Sequence, residues 1–308
     1  MKAVLIGTRA YREQWNDTDI LCDQEFKDYF LPKLDKTTPE FEFADGMLDG
    51  KPVELTVVQP GTAFWLALEH SPSCQDEEIA GELIPRAQLK LIATLKKAHL
   101  VNPKRFEHHI REYSYIKDVL GVKWFKPSEW DDGDSKLVNI FQLHRREVKK
   151  KHPKLNTSKD GFFSHKESYN IMDHDSVHEA VSYPLKPAYL AYKGDEAEVW
   201  CDKDKWLALP EAERIRGVVE ESCVLALERS ILPALFPQEG AKPISFWGAE
   251  RAYAYALSKV CTTITSGFFR EYAIENYDEC LASRPDYVNK FFEGVKLGVV
   301  KKFEKAAY

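Results

Sequence analysis

Two kinds of hydrophobic patterning divide the chain. In the first sixty residues, short apolar runs end at glycine or at other turn-forming residues. Beyond Gly61, apolar residues recur at helical spacing over long stretches. Ala3-Val4-Leu5-Ile6, closing at Gly7, predicts a buried strand followed by a tight turn. Thr8 to Trp15 predicts one or two helical turns. Asp17 to Cys22 predicts a second strand with alternating faces. Phe26, Tyr29, Phe30 and Leu34 are spaced for one helical face. Phe41 to Ala44 predicts a short strand, and Asp45-Gly46 and Asp49-Gly50 predict turns. Val53 to Val58, rich in β-branched residues, predicts the clearest strand in the chain.

Helices are predicted over Ile84 to Leu100, Phe106 to Leu120, Leu137 to Val148, Ala212 to Leu235, Ala249 to Tyr277 and Tyr287 to Phe303. Ser176 to Val181 reads as a helix start, and Tyr189 to Cys201 as a small hairpin across Lys193-Gly194-Asp195. Pro127 to Gly133 is the best internal break. The expected fold is therefore α+β. A small α/β head with a mixed sheet occupies residues 1–130, and a larger, mostly helical body occupies residues 131–308.

Composition narrows the class. The chain has 308 residues, 44% hydrophobic and 30% charged, which is enough to bury a substantial core. No apolar stretch approaches the length of a membrane-spanning helix, and the opening residues do not form a signal peptide. The six cysteines are scattered without a CxxC pair, so a zinc ribbon is not expected and a reducing, cytoplasmic location is. Net charge is −6, but it is uneven. His144 to Lys159 holds seven Lys or Arg and one Glu, net +6, so the remainder carries −12.

Three carboxylates suggest chemistry. Asp17 and Asp19 are two residues apart on a predicted strand, so both point to one face. Glu54 lies on the later strand and would join them if the two strands pair. Like charges gathered this way repel unless a cation neutralises them, and hard divalent ions such as Mg²⁺ or Mn²⁺ prefer oxygen ligands. Gly7-Thr8 follows the first strand, where a glycine lets backbone N–H groups approach phosphate and a hydroxyl adds a donor. The plainer alternative is a pair of solvated aspartates at a strand start.

Gly7-Thr8-Arg9-Ala10, six further residues, then Asp17-Thr18-Asp19-Ile20-Leu21 resembles the signature of the polymerase-β-type nucleotidyltransferases. Glu54 fits the third acidic position of that signature, and Thr8 replaces its usual Ser or Gly. The resemblance covers roughly residues 1–70. A second resemblance is to an uncharacterised nucleotidyltransferase-like family of large tailed phages. It is carried by the opening together with the segments Phe106 to Tyr113, Asp173 to Glu179 and Leu225 to Ser230. The first resemblance implies that Asp17, Asp19 and Glu54 hold Mg²⁺ or Mn²⁺ and carry catalysis. It implies that Gly7 and Thr8, with Arg9, bind the phosphates of a nucleoside triphosphate. Arg9 on an exposed helix face is the alternative. The implied reaction transfers a nucleotide to an acceptor hydroxyl, with an RNA, tRNA or DNA end favoured by the basic stretch. A catalytically inactive nucleotide- or nucleic-acid-binding protein of the same fold is the alternative.

Residues 144–178 hold five of the nine histidines. His174-Asp175, with His178, forms a candidate second site for a metal-dependent phosphohydrolase. Ser176-Val177-His178-Glu179 fits a capping box equally well. Arg145, Arg146, Lys149, Lys150 and Lys151 are candidate nucleic-acid contacts, with Phe162, Phe163 and Tyr169 near enough to stack on bases. The alternative is a solvated helix end whose cations complement the helix dipole. His108-His109 reads as partly buried core, Trp124, Trp130, Trp200, Trp206 and Trp247 as packing residues, and Glu228-Arg229 as an ion pair.

Overall fold

The computed structural model describes residues 1–39, 43–70, 75–102, 105–126, 135–151, 205, 208–227, 248–263 and 267–296. The chain divides into two compact units, Met1–His152 and Pro153–Tyr308. The fold is α+β, with a mixed five-stranded sheet in the first unit and a helical second unit.

Strands β1 (Ala3–Leu5), β2 (Thr18–Cys22), β3 (Asp35–Pro39), β4 (Phe43–Leu48) and β5 (Lys51–Val57) are ordered β1-β2-β5-β4-β3. β1 is antiparallel to β2, β2 is parallel to β5, and β4 is antiparallel to both β5 and β3. Alternation along the strands sorts the two faces. Ile20, Cys22, Ala44, Val53 and Leu55 are almost fully buried, whereas Glu54 and Asp45 between them are exposed. Helix α1 (Gln24–Phe30) follows β2 and is capped by Asp23, whose carboxylate accepts from the Phe26 N–H at 2.7 Å. Asp49 (φ 52°) and Gly50 (φ 77°) make the tight β4–β5 turn that the Asp-Gly pair predicts.

Asp45-Gly46 corrects the sequence reading. Both residues lie inside β4 rather than in a turn. Gly46 is small because Leu34 crosses it, and a Cβ there would stand 2.7 Å from the Leu34 Cβ. A second correction concerns residues 84–88. Ile84 belongs to a hairpin of β6 (Asp76–Ile79) and β7 (Glu82–Pro85), turned at Ala80 (φ 52°) and Gly81 (φ 78°). The helix expected from Ile84 begins only at Leu89. Pro85 ends the strand, and Ala87 N–H is held by the Leu5 carbonyl at 2.9 Å.

Helices α2 (Ala63–His70), α3 (Leu89–His99), α4 (Phe106–Leu120) and α5 (Ser135–Lys151) complete the first unit. α3 packs on α4 and α5, and α2 packs on α5. α4 has the predicted limits; Gly121 ends it at φ 67°, and Val122 N–H returns to the Lys117 carbonyl at 3.0 Å. Because α5 packs on α2 and α3, this unit runs to His152, past the expected boundary at 130/131. The second unit contains α6 (Glu211–Ala226), α7 (Ala249–Thr263), α8 (Gly267–Glu275), α9 (Tyr277–Ala282) and α10 (Asp286–Lys296). Ala252, Tyr253, Ala256, Leu257 and Val260 give α7 a fully buried stripe. The single helix expected over 249–277 is broken into segments.

Candidate functional site

The sheet register assembles the acidic face. Asp19 on β2 is directly opposite Glu54 on β5, and Glu54 is directly opposite Asp45 on β4. Three carboxylates therefore form one row across adjacent strands, and Asp17, just ahead of β2, adds its charge to Asp19 and Glu54. Asp17, Asp19 and Glu54 are thus brought together as expected.

Their electrostatics follow from crowding. Burial, then the charges of Asp17 and Glu54, push Asp19 up to about 6, with Lys96 opposing. Glu54 is also raised, by loss of hydration and then by Asp45 and Asp17. The crowding that raises Asp19 and Glu54 is what an added cation would relieve. The all-oxygen donor set fits a hard divalent ion. Among the described residues, however, no three His, Cys, Asp or Glu side chains already stand as a metal-holding group.

Gly7 owes its identity to this cluster. Its φ of −73° needs no glycine. A Cβ at this position would meet the Asp19 carboxyl, with Asp19 Cγ at 2.8 Å and Asp19 Cβ at 2.9 Å. The Asp19 side chain lies directly against the Gly7 Cα. Thr8 donates its hydroxyl to Asp17 Oδ1 at 3.4 Å, a long bond that orients the first carboxylate of the motif.

Arg9 does not join the row. Its guanidinium pairs with Glu77 at 2.7 Å, donates to Thr18 Oγ1 at 3.3 Å and lies 4.8 Å from the Trp15 ring. Glu77 also accepts from Arg86, and these two cations hold its carboxyl below the usual range although burial opposes them. Arg9 therefore ties the loop after β1 to the β6–β7 hairpin. Neither alternative weighed from sequence, a phosphate contact or an exposed helix face, describes this half-buried ion pair.

Two neighbours of the row were not anticipated. Asp45 was hidden by reading Asp45-Gly46 as a turn; the alternation Phe43-Ala44-Asp45-Gly46-Met47 was the available signal. Lys96, on the middle of α3, is lowered by burial and interacts with Glu112, Asp19 and Asp17. No local motif marks it, because only the packing of α3 places it there. Glu112 on α4 in turn binds Arg12 at 3.1 Å and accepts from the Tyr11 hydroxyl, anchoring the end of the loop that carries Gly7 and Thr8.

Arg145, Arg146, Lys149, Lys150 and Lys151 all fall on the last turns of α5. Arg146, Lys150 and Lys151 are exposed, and Arg145 and Lys149 are half-buried. His109 is buried and His108 exposed. His174, Asp175 and His178 lie outside the described residues. So do the helix start at 176–181, the hairpin at 189–201, the break at 127–133 and the Glu228-Arg229 pair. Among the described residues, no helix is long and apolar enough to cross a membrane.

Fold and site together define an α+β protein with an acidic row on one face of its mixed sheet. Residues 91–291 match the family described as a domain of unknown function (DUF7275), and the chain belongs to that family. The match begins within α3 and leaves Gly7, Asp17, Asp19 and Glu54 outside it. No curated protein and no solved structure matches the chain.

Proposed function

We propose that the protein is a metal-dependent nucleotidyltransferase that moves a nucleotide from a nucleoside triphosphate to an acceptor hydroxyl. The observation that carries this reading is the register of β2 and β5, which sets Glu54 opposite Asp19, with Asp17 just ahead of β2 close enough for its charge to act on both. Asp17 and Asp19 would hold Mg²⁺ or Mn²⁺, and Glu54 would complete the ligand set. When bound, the ion would polarise phosphoryl oxygens and offset charge developing on them. Gly7 keeps the loop close against Asp19, and Thr8 orients Asp17. Glu54, raised above its ordinary range, is suited to accept the acceptor's proton. The exposed cations Arg146, Lys150 and Lys151 are suited to an RNA or DNA acceptor. A reducing cytoplasmic setting agrees with the free thiols of Cys22, Cys223, Cys261 and Cys280.

One observation favours a second reading. Lys96 interacts with Asp19 and Asp17, so a protein cation already offsets part of their charge. In that reading the protein binds a nucleotide or nucleic acid without turnover.

Thermal stability measured with each of four NTPs, with and without Mg²⁺, tests the proposal. A ligand held only by the native state raises stability by mass action. The expected result is an upward shift that requires Mg²⁺ and disappears in the Asp17→Ala/Asp19→Ala variant. No shift with any NTP would remove the donor site. A shift that survives the double substitution would move it elsewhere. Metal-dependent binding without pyrophosphate release in the presence of RNA or DNA ends would favour the second reading.

A further inference from the structure

Five rings run in sequence through the helical side of the first unit. Phe64 of α2 lies 4.9 Å from His144 of α5, His144 lies 5.5 Å from His99 of α3, and His99 lies 4.1 Å from His109 of α4. His108, one residue earlier on α4, stands 5.3 Å from His109 and ends the row in solvent. The row touches four helices, and four of its five members titrate near neutral pH in free form.

Its centre cannot easily carry charge. His109 is about nine-tenths buried, and neither ring nitrogen has a hydrogen-bond partner. Lys96 and His99 on α3, and Arg105 and His108 at the start of α4, all act against its protonation. Loss of hydration, followed by repulsion from these groups, holds His109 far below the ordinary imidazole range. On α5, His144 is also buried. Glu147 lies beside it, its carboxylate 3.6 Å away, and also accepts from the Ala63 N–H at the start of α2. The α2 contribution to the row is the uncharged Phe64.

We propose that this row is an acid-sensitive clasp, in which rings packed around the buried His109 hold α2, α3, α4 and α5 together and proton uptake at His109 favours the opened helices. The sign follows from the buried ring. His109 stays neutral when folded but takes a proton near its ordinary value, about pH 6.5, once exposed. Stability is therefore full above that pH and declines as pH falls below it. One such proton changes the opening equilibrium about tenfold per pH unit. The consequence reaches the acidic row, because α3 carries Lys96 and α4 carries Glu112, which holds Tyr11 and Arg12.

Hydrogen exchange of the full-length protein at pH 7.5, 6.5, 5.5 and 5.0, corrected for intrinsic rates, tests the clasp. Amides of residues 106–120 should open about tenfold more for each unit below pH 6.5. Those of α7, which has no histidine, should not follow. His109→Phe keeps a ring and removes the proton, so its α4 amides should lose most of this pH dependence. His108→Gln should retain it. Equal wild-type opening across this range, or full dependence persisting in His109→Phe, would overturn the proposal. If His109→Phe fails to fold, His109→Leu, which also takes up no proton, decides the same point.

Discussion

The carboxylates of the first unit and the thiols of the second are both gatherings of like residues, yet their surroundings make them opposites. Asp19, Glu54 and Asp45 are lined up by strand register on a face that water reaches. Cys223, Cys261 and Cys280 interact with one another from α6, α7 and α9, but each is almost completely buried. Burial pushes the first two thiols far up, and Cys280 up to about 12. A thiol that stays protonated is a small apolar side chain, without a nucleophile or a metal ligand. Asp19, raised to about 6, keeps its charge at pH 7 at an energetic cost, and that is the condition under which a cation binds. Clustering alone identifies neither a site nor a core; hydration separates them.

Removing the acidic row would break this contrast most severely. Asp17→Ala/Asp19→Ala should lower nucleotidyl transfer by roughly a thousandfold or more, since the ligands of the ion would be gone. Labelled-nucleotide incorporation, normalised to folded protein, checks this. Gly7→Ala should come next, because its methyl group must displace Asp19. A destabilisation of about 1–3 kcal/mol, together with loss of Mg²⁺-dependent nucleotide binding, is expected from urea unfolding and titration.

Asp19→Asn sharpens the comparison in the other direction. Asp19 rises from 3.8 to about 6, so the folded protein holds its proton more tightly than the unfolded chain. Its unfavourable contribution develops as pH rises from about 4 to 6 and is complete above that. The neutral amide should therefore stabilise the protein at pH 7 by on the order of 3 kcal/mol while abolishing transfer. Urea unfolding at pH 7 and at pH 4 checks both sign and window, and the gain should vanish at the lower pH. The smallest expected effect concerns the thiols. Maleimide should label Cys223, Cys261 and Cys280 only after denaturation, and Cys223→Ala should leave nucleotide binding unchanged, as mass spectrometry and titration would show.

Much of the sheet was legible because period-two alternation and turn chemistry agreed. Val53, Leu55 and Val57 pointed inward around Glu54, and Asp49-Gly50 supplied the turn that sets β4 against β5. The pairing of Asp19 with Glu54 was expected only if β2 and β5 are neighbours. That adjacency depends on a crossover through α1, β3 and β4, which no local pattern encodes. Asp45-Gly46 misled because the same dipeptide serves a turn or a close crossing, and Leu34 decides which. The β6–β7 hairpin escaped notice because its turn is Ala80-Gly81, an uncommon left-handed alanine, and Ile84 also suited a helical stripe. Nor did any local pattern announce the ion pair of Arg9 with Glu77, 68 residues later. Lys96 was invisible for a similar reason, since its neighbours come from β2 and α4.

Manganese binding tests the central claim most directly. The electron paramagnetic resonance signal of free Mn²⁺ falls when the ion is captured, and it can be followed at pH 7.5 without knowing the nucleotide or the acceptor. The account predicts saturable capture by the wild-type protein and loss of that capture in a folded Asp17→Ala/Asp19→Ala variant, with Cys223→Ala indistinguishable from wild type. Capture that is absent in the wild type, or unchanged by the double substitution, would contradict it and leave Lys96 as the cation that balances the row.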